Sequence, residues 1–325
     1  MISSSSASAR SHGQLHDVII IAGATATGKS AVGLQVAVQL DGEIVSADSR
    51  AFFRGMDILT DKPSREDRER VPHHLLDVCS FSEAYDAMRF RQDADQAIRG
   101  IVYRGRTPIV VGGGTLYIAA LVEGLFQGPS ADPVLRSELA QKPTEQLHSM
   151  LRQVDPVSAQ RIHPNDRLRV VRALEVHRKT GTAISRLQSH AVPLEYAFHG
   201  FVLDRDRDAH RQAIETRVGE MVASGLVSEV RALRDAGLVP AMQAFRTIGV
   251  PEAFALLDGE IDEATMREQL THRTWALARR QTAWFRRLGG FRWVQVEGRS
   301  AANVAGEIVE KVPCHGSPSE MEEGR

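Results

Sequence analysis

The sequence predicts an α/β protein in which a parallel sheet carries helices on both faces and is interrupted by an all-helical insertion domain. Short β-branched, apolar runs alternate with helix-like segments as far as residue 123, which is typical of a parallel sheet. The pattern changes at Gly124–Pro133 and stays helical, without obvious strands, to about Gly181. A strand-like run returns at Phe198–Leu203, where we expect the chain to rejoin the sheet.

These changes of pattern predict the domain boundaries. We assign 17–125 and 198–313 to the sheet-containing core and 126–197 to the helical insertion. The serine-rich segment 1–16 and the polar, acidic segment 314–325 are predicted to be disordered tails.

The first strand, Val18–Ile21, runs into a glycine-rich turn and then into a helix-like segment, Ala31–Leu40. The order strand, Gly-x4-Gly-Lys-Ser, helix predicts a P-loop and hence a P-loop NTPase-like core. Backbone N–H groups and a helix N-terminus in such a loop bind phosphate. Lys29 can reach a terminal phosphate, and the Ser30 hydroxyl suits Mg²⁺. The predicted diphosphate-binding residues are Gly23, Ala24, Thr25, Ala26, Thr27, Gly28, Lys29 and Ser30.

Asp48 is predicted to lie beside the phosphate loop. It follows the second predicted strand, Glu43–Ala47, and the carboxyl ends of parallel strands meet at the ligand crevice. A P-loop kinase would place an acid after a neighbouring strand, but the third strand, Pro108–Val111, ends in three glycines (112–114) before the helix Leu116–Val122. Asp48 could therefore be a metal partner or a general base, and spacing leaves both roles open.

Two predicted helices carry rows of arginines. Asp166 can cap a helix over Arg167–Lys179 that Gly181 ends, with Arg169 and Arg172 on its polar face. A second helix, around Leu270–Leu288, repeats apolar residues every seven positions beside arginines at 273, 280 and 287. Such rows are typical of a solvated surface or of a nucleic-acid contact, and the pattern alone leaves both readings open.

Composition excludes several classes of protein. A hydrophobic content of 42% and a charged content of 25% are those of a soluble globular protein, and no apolar run approaches the length that crosses a bilayer. A net charge of −1 argues against a uniformly basic nucleic-acid coat. Cys79 and Cys314 lie far apart and suggest neither a disulfide framework nor a zinc cluster. We expect a cytoplasmic monomer without a membrane partner.

Several ordered blocks give the sequence a resemblance to the bacterial tRNA dimethylallyltransferase (tRNA isopentenyltransferase) family. The most specific are Arg-Ile-His-Pro-Asn-Asp at 161–166 and Arg-Ala-Leu-Glu-Val at 172–176. The others are the phosphate loop, Asp48-Ser49, Gly-Met-Asp-Ile at 55–58, Pro-His-His-Leu at 72–75, Ser-Ala-Asp-Pro at 130–133 and Ala-Arg-Arg-Gln at 278–281.

The resemblance implies an Mg²⁺-dependent transfer of the dimethylallyl group from dimethylallyl diphosphate to the exocyclic amine of the adenine 3′ of the anticodon. It implies that the insertion binds the anticodon stem-loop of tRNA. By position in the family's motifs, Asp48 is the general base and Arg246 contacts the diphosphate. Thr115, one residue beyond the position of the family's threonine, is the candidate for the hydroxyl that faces the reaction channel. The tRNA contacts carried over in the same way are Ser49, Arg50, Phe53, Arg136, Leu168, Arg169, Arg172, Arg280 and Gln281.

The chain departs from the family pattern at three places near these residues. Arg50-Ala51 stand where the family usually has Met-Gln, and Val250-Pro251 replace Tyr and a basic residue. The family's channel threonine falls at Gly114, one residue before Thr115. Three glycines could give that loop access to positive φ and let it shift, so that Thr115 either reaches the channel, which we favour, or caps the next helix.

Three other functions are considered beside the transferase. A non-catalytic tRNA-binding homologue is suggested by the departures, although Lys29, Ser30, Asp48 and Arg246 are intact. An adenylate isopentenyltransferase acting on free nucleotides would not need the insertion. A P-loop kinase is disfavoured by the missing acid after Val111.

Overall fold

A computed structural model describes residues 15–313, which form two compact units. The larger unit contains the residues up to Ile118 and those from Glu195 onwards, and the smaller unit is Ala119–Leu194. The predicted tails lie outside the described residues, apart from positions 15 and 16. Between residues 15 and 313, no helix has the length and apolar character needed to cross a membrane.

The described chain contains six strands and fifteen α-helices. The strands are β1 (Asp17–Gly23), β2 (Gly42–Ser46), β3 (His73–His74), β4 (Thr107–Gly112), β5 (Ala197–Asp204) and β6 (Phe291–Gln295). The helices are α1 (Lys29–Gln39), α2 (Asp57–Thr60), α3 (Arg65–Arg70), α4 (Ala87–Tyr103), α5 (Thr115–Val122), α6 (Pro133–Ala140), α7 (Thr144–Val154), α8 (Pro156–Arg161), α9 (Arg167–Thr180), α10 (Ile184–Gln188), α11 (Arg207–Ala223), α12 (Leu226–Asp235), α13 (Val250–Leu257), α14 (Glu263–Phe285) and α15 (Ala301–Glu310).

The strands form one parallel sheet in the order β3-β2-β4-β1-β5-β6, which confirms the predicted fold class. Ile19 and Ile21 of β1 share a core with α1 and α15 on one face. Val18 and Ile20 point to the other face because side chains alternate along a strand, and both are fully buried. Helices therefore cover both faces.

The sequence did not predict two of the strands, β3 and β6. A strand of two residues such as β3 is too short to show any periodicity. β6 lies at the edge of the sheet, and its Phe-Arg-Trp-Val-Gln sequence leaves Arg292 and Trp293 exposed. Neither strand has the continuous apolar run that marks the central strands.

The sheet order explains where a ligand crevice forms. β4 and then β2 lie on one side of β1, whereas β5 lies on the other, so the direction of winding reverses at β1. Open parallel sheets bind ligands at the carboxyl ends of strands beside such a reversal. The segments that follow β1, β2 and β4 therefore meet at one edge of the sheet.

The smaller unit is helical, with a core of its own that includes Leu147 of α7 and Val170 and Leu174 of α9. Asp166 accepts a hydrogen bond from the Arg169 N–H at 3.2 Å, and Gly181 ends α9 at a φ of 69°. The predicted start and end of this helix are confirmed.

Candidate active site

A cavity of about 680 Å³ in the larger unit is lined by the segments that follow β1, β2 and β4, together with α11 and α14. Thr25, Lys29 and Ser30 line it from the phosphate loop, and Asp48 lines it from the end of β2. The structure thus brings together the two groups that the sequence singled out on separate strands.

The phosphate loop takes its shape from local backbone geometry. Gly28 has a φ of 83° and precedes α1, so the first helical N–H groups are directed at the cavity end of the loop. Gly23 is required for space, since a Cβ there would lie 2.7 Å from the Leu203 carbonyl oxygen. Thr27 is buried and donates its hydroxyl to the Ala24 carbonyl at 2.9 Å.

Lys29 is a buried cation with a perturbed pKa. Burial and the positive charge of Arg217 lower its pKa to about 8, whereas the carboxylates of Asp48 and Asp61 oppose the shift. Its Nζ donates to the Ala24 carbonyl at 2.6 Å. Burial removes water that would stabilise the ammonium, and a bound phosphate would supply negative charge in its place. An ammonium in this setting is therefore well suited to a phosphate ligand.

Asp48 is oriented by a tight turn. Its Oδ1 accepts the Arg50 N–H at 2.8 Å and lies 3.4 Å from the Ala51 nitrogen, while Oδ2 accepts no hydrogen bond from the described residues. One carboxylate oxygen thus holds the loop, and the other can accept a proton.

Positive charge dominates the cavity wall. The carboxylates on the wall are Asp48 and Asp61, and the cationic side chains are Lys29, Arg50, Lys62, Arg217, Arg246, Arg273 and Arg280. Arg246, the predicted diphosphate contact, lines the same cavity as Lys29. Arg217, which pairs with Asp61 at 3.0 Å, is a candidate that the sequence analysis missed. Its signal was present, since Arg217 falls on the apolar stripe of Ile214, Val218 and Met221 at helical spacing.

Part of the cavity lining is apolar. It is formed by Val218 and Met221 of α11, Leu226 of α12, and Leu270 and Leu277 of α14. A lining that combines cationic and apolar side chains is a suitable environment for a phosphorylated hydrocarbon.

Gly112, Gly113 and Gly114, at the end of β4, do not adopt the positive φ that the sequence made possible. Two of them let the backbone approach the loop after β2. A Cβ on Gly112 or Gly114 would lie 2.3 or 2.4 Å from backbone atoms of Ala47. A threonine at position 114 therefore does not fit this backbone.

Thr115 lines the cavity as the first residue of α5. The carbonyl of Gly114 accepts the N–H groups of Tyr117 and Ile118, so the helix begins without help from the threonine side chain. Within 15–313 the Thr115 hydroxyl has no hydrogen-bond partner. This geometry favours a channel-facing hydroxyl over a helix cap.

Of the carried-over tRNA contacts in the larger unit, Ser49, Arg50, Arg280 and Gln281 line the cavity. Arg50 donates to the Gln243 carbonyl at 3.1 Å, and burial lowers its pKa. Phe53 is a correction: its ring is fully buried and packs 4.7 Å from the Phe52 ring, so it has no surface for RNA.

In the smaller unit, Arg136 and Arg172 are committed to an internal ion-pair cluster. Both bind Glu175, which is fully buried, with Nη2 of Arg136 at 2.9 Å and Nη1 of Arg172 at 2.5 Å. Burial alone would raise the pKa of Glu175, but hydrogen bonds from both arginines and the Asp132 N–H lower it to about 2. The prediction that these two arginines serve tRNA overlooked this structural role.

Leu168 and Arg169 are the exposed members of the same predicted set. Leu168 is 77% exposed, and the Arg169 side chain is 74% exposed with a surface ion pair to Asp166. An exposed leucine beside an arginine on one helix is available to a partner.

The chain is similar to known proteins over most of its length. A family model described as IPP transferase matches residues 51–288. The chain is 41% identical to tRNA dimethylallyltransferase 1 of Trichlorobacter lovleyi, over 87% of this chain and 95% of the relative. It is 44% identical to tRNA dimethylallyltransferase of Anaeromyxobacter dehalogenans, over 85% and 92% of the two chains.

Solved structures give the same result. The full-length tRNA isopentenylpyrophosphate transferase of Bacillus halodurans is 32% identical, with a TM-score of 0.67 over 91% of this chain and 97% of that one. A eukaryotic dimethylallyltransferase acting on tRNA is 25% identical, with a TM-score of 0.77 over 92% and 80% of the two chains. The chain therefore belongs to the tRNA dimethylallyltransferase family.

Proposed function

We propose that the protein transfers the dimethylallyl group of dimethylallyl diphosphate to the exocyclic amine of the adenine 3′ of the anticodon in tRNA. One observation carries this proposal: the Lys29 phosphate loop and the Asp48 carboxylate line one cavity whose lining also includes apolar side chains of α11, α12 and α14. The cationic side chains suit the diphosphate, the apolar side chains suit the five-carbon group, and Asp48 suits the amine.

Breaking the allylic C–O bond places negative charge on the departing diphosphate. Lys29, Arg217 and Arg246 line the cavity where this charge develops, and fixed cations in a site of low polarity stabilise it strongly. The Thr115 hydroxyl, which has no protein partner among the described residues, can donate one further hydrogen bond to the leaving oxygen.

The adenine amine forms the new N–C bond and loses one proton. An aromatic amine is a weak nucleophile, so a positioned base that accepts this proton lowers the barrier. We assign that role to Oδ2 of Asp48, since Oδ1 is already engaged by the Arg50 N–H. The allyl group, the proton and the diphosphate are thus all accounted for.

Mg²⁺ fits the residues present. No cluster of three or more His, Cys, Asp or Glu side chains in 15–313 could hold a metal by itself. The Ser30 hydroxyl lines the cavity and is the side-chain oxygen that would hold Mg²⁺, which prefers few protein ligands with phosphate and water completing its shell. When bound, the ion would neutralise charge on the diphosphate.

The tRNA contacts are proposed for the predicted residues that line the cavity or are exposed on α9. Ser49, Arg50 and Arg280 line the cavity, and Leu168 and Arg169 are exposed on α9. The target base has to leave its stack to reach a cavity, which costs least in a loop. An anticodon loop meets that condition.

The test is transfer of label from dimethylallyl diphosphate to unmodified tRNA by the purified protein with Mg²⁺, followed by nucleoside analysis. We expect label on one adenosine beside the anticodon, no labelling of free AMP, and no hydrolysis of added ATP. Tight tRNA binding without labelled product would support a non-catalytic homologue. Labelled AMP would support an adenylate isopentenyltransferase, and phosphate released from ATP a kinase.

A further inference from the structure

Gln281 joins two walls of the cavity through the two ends of its side-chain amide. Oε1 accepts the Thr25 N–H of the phosphate loop at 2.9 Å, and Nε2 donates to the Gly113 carbonyl after β4 at 2.8 Å. The two bonds run in opposite directions, so they fix which end of the amide is oxygen. No other side chain of similar length offers one donor and one acceptor in this arrangement.

The backbone at Gly113 is adapted to this contact. A Cβ at that position would lie 2.6 Å from Nε2 of Gln281 and 3.1 Å from the Gly23 carbonyl oxygen. Because Gly113 does not adopt a positive φ, close approach rather than backbone conformation explains the glycine. The glycine and the glutamine thus form a matched pair.

Thr25 is also held through its carbonyl group. Its carbonyl lies 2.7 Å from Nε2 of His210, a buried residue of α11 whose ring packs edge-on against Trp275 of α14. The Thr25 N–H and C=O are therefore both fixed by side chains from outside the loop.

We propose that Gln281 is a positioning residue that sets the separation between the phosphate loop and the Gly113–Thr115 segment, so that the bound diphosphate faces the Thr115 hydroxyl. This inference rests on the proposed function. The same helix, α14, supplies Leu277 and Arg280 to the cavity wall. Gln281 thereby makes the geometry of the diphosphate site depend on the placement of α14.

The first test compares Gln281→Met, which keeps the length but removes donor and acceptor, with Gln281→Glu, which keeps only the acceptor. The readouts are the affinity for inorganic pyrophosphate with Mg²⁺, KM and the single-turnover rate for dimethylallyl diphosphate, and the tRNA Kd without donor. We expect pyrophosphate affinity and the single-turnover rate to fall about tenfold in Gln281→Met, with tRNA Kd unchanged. The matched control is Ala283→Ser, an exposed position on the same helix that should leave all three unchanged.

The opposite pattern overturns the inference. If Gln281→Met weakens tRNA binding and leaves pyrophosphate affinity intact, Gln281 is an RNA contact and not a positioning residue. A wild-type protein that transfers nothing would refute the proposed function. Pyrophosphate binding does not depend on transfer, so the affinities of wild type and Gln281→Met for pyrophosphate would still decide the role of Gln281.

A double-mutant cycle tests the pairing with Gly113. Gly113→Ala should weaken pyrophosphate binding severalfold in the wild-type background because its Cβ displaces Nε2 of Gln281. In the Gln281→Ala background that contact is gone and only the 3.1 Å approach to the Gly23 carbonyl oxygen remains, so the same change should cost less than in the wild-type background. Additive effects would contradict the pairing. If Gly113→Ala does not fold, the Gln281→Met and Gln281→Glu comparison decides alone.

Discussion

The Lys29 ammonium and the Asp48 carboxylate line one cavity, and the charge of Asp48 favours the cationic form of Lys29. Burial and Arg217 act against it and lower the pKa of Lys29 to about 8. In the proposed reaction, the segment after β1 supplies a cation for the leaving group, and the segment after β2 supplies the base.

This pKa predicts an alkaline limit to activity. Lys29 is charged below pH 8 and becomes neutral as the pH rises through that value, so its attraction for the diphosphate is lost in that direction. We expect kcat/KM for dimethylallyl diphosphate, which reports the free enzyme, to fall above about pH 8. Lys29→Arg is the control, because a guanidinium stays charged there and should move the fall to higher pH. If kcat/KM falls at the same pH in Lys29→Arg, the fall is caused by a group other than Lys29.

Thr115→Val keeps the shape of the side chain and removes its hydroxyl. Since that hydroxyl makes no hydrogen bond to the described protein, the melting temperature should change little. Loss of one donor to the leaving oxygen should lower the single-turnover rate by ~10²–10³-fold. A normal rate together with a lower melting temperature would show that Thr115 only supports α5.

The sequence predicted those parts of the site whose geometry is local. The phosphate loop is defined by glycines and a lysine within eight residues, and Asp48 follows a strand whose end must lie at the crevice. The start and end of α9 were predictable from Asp166 and Gly181 for the same reason, since each acts within one turn of the helix.

The parts that escaped prediction depend on contacts distant in sequence. Glu175 pairs with Arg136 across 39 positions, and Gln281 reaches Thr25 across 256 positions. No local pattern distinguishes an arginine that faces RNA from one that neutralises a buried carboxylate. The role of Gly113 is likewise visible only once Gln281 is in place.

Arg169→Ala is the cleaner test of tRNA contact on α9. Its exposed ion pair with Asp166 contributes little stability, so the melting temperature should be unchanged. Affinity for tRNA should fall, and the slope of log K against log salt should become shallower by roughly one unit. Arg172→Ala should differ by destabilising the fold by about 1–3 kcal/mol, because it removes a partner from buried Glu175. Unchanged tRNA affinity and salt slope for Arg169→Ala would make Arg169 an ordinary surface residue.

Glu175 predicts a loss of stability in acid. Its pKa is about 2 in the folded chain, against an ordinary value of 4.5, so its contribution is complete above pH 4.5 and is lost as the pH falls towards 2. The measurement is the free energy of unfolding against pH for wild type and Glu175→Gln. The difference in free energy of unfolding between the two proteins should shrink as the pH falls from 4.5 towards 2. A constant difference would show that the ion pairs of Glu175 do not cause the loss of stability in acid.

The most direct test of the account is single-turnover transfer to unmodified tRNA by Asp48→Asn, with tRNA affinity measured in parallel. The amide keeps an oxygen for the Arg50 N–H and so preserves the turn, but it cannot accept the adenine proton. We predict that the rate falls by ~10²–10⁴-fold while tRNA Kd stays near the wild-type value. Transfer at close to the wild-type rate would contradict the assignment of Asp48 as the base.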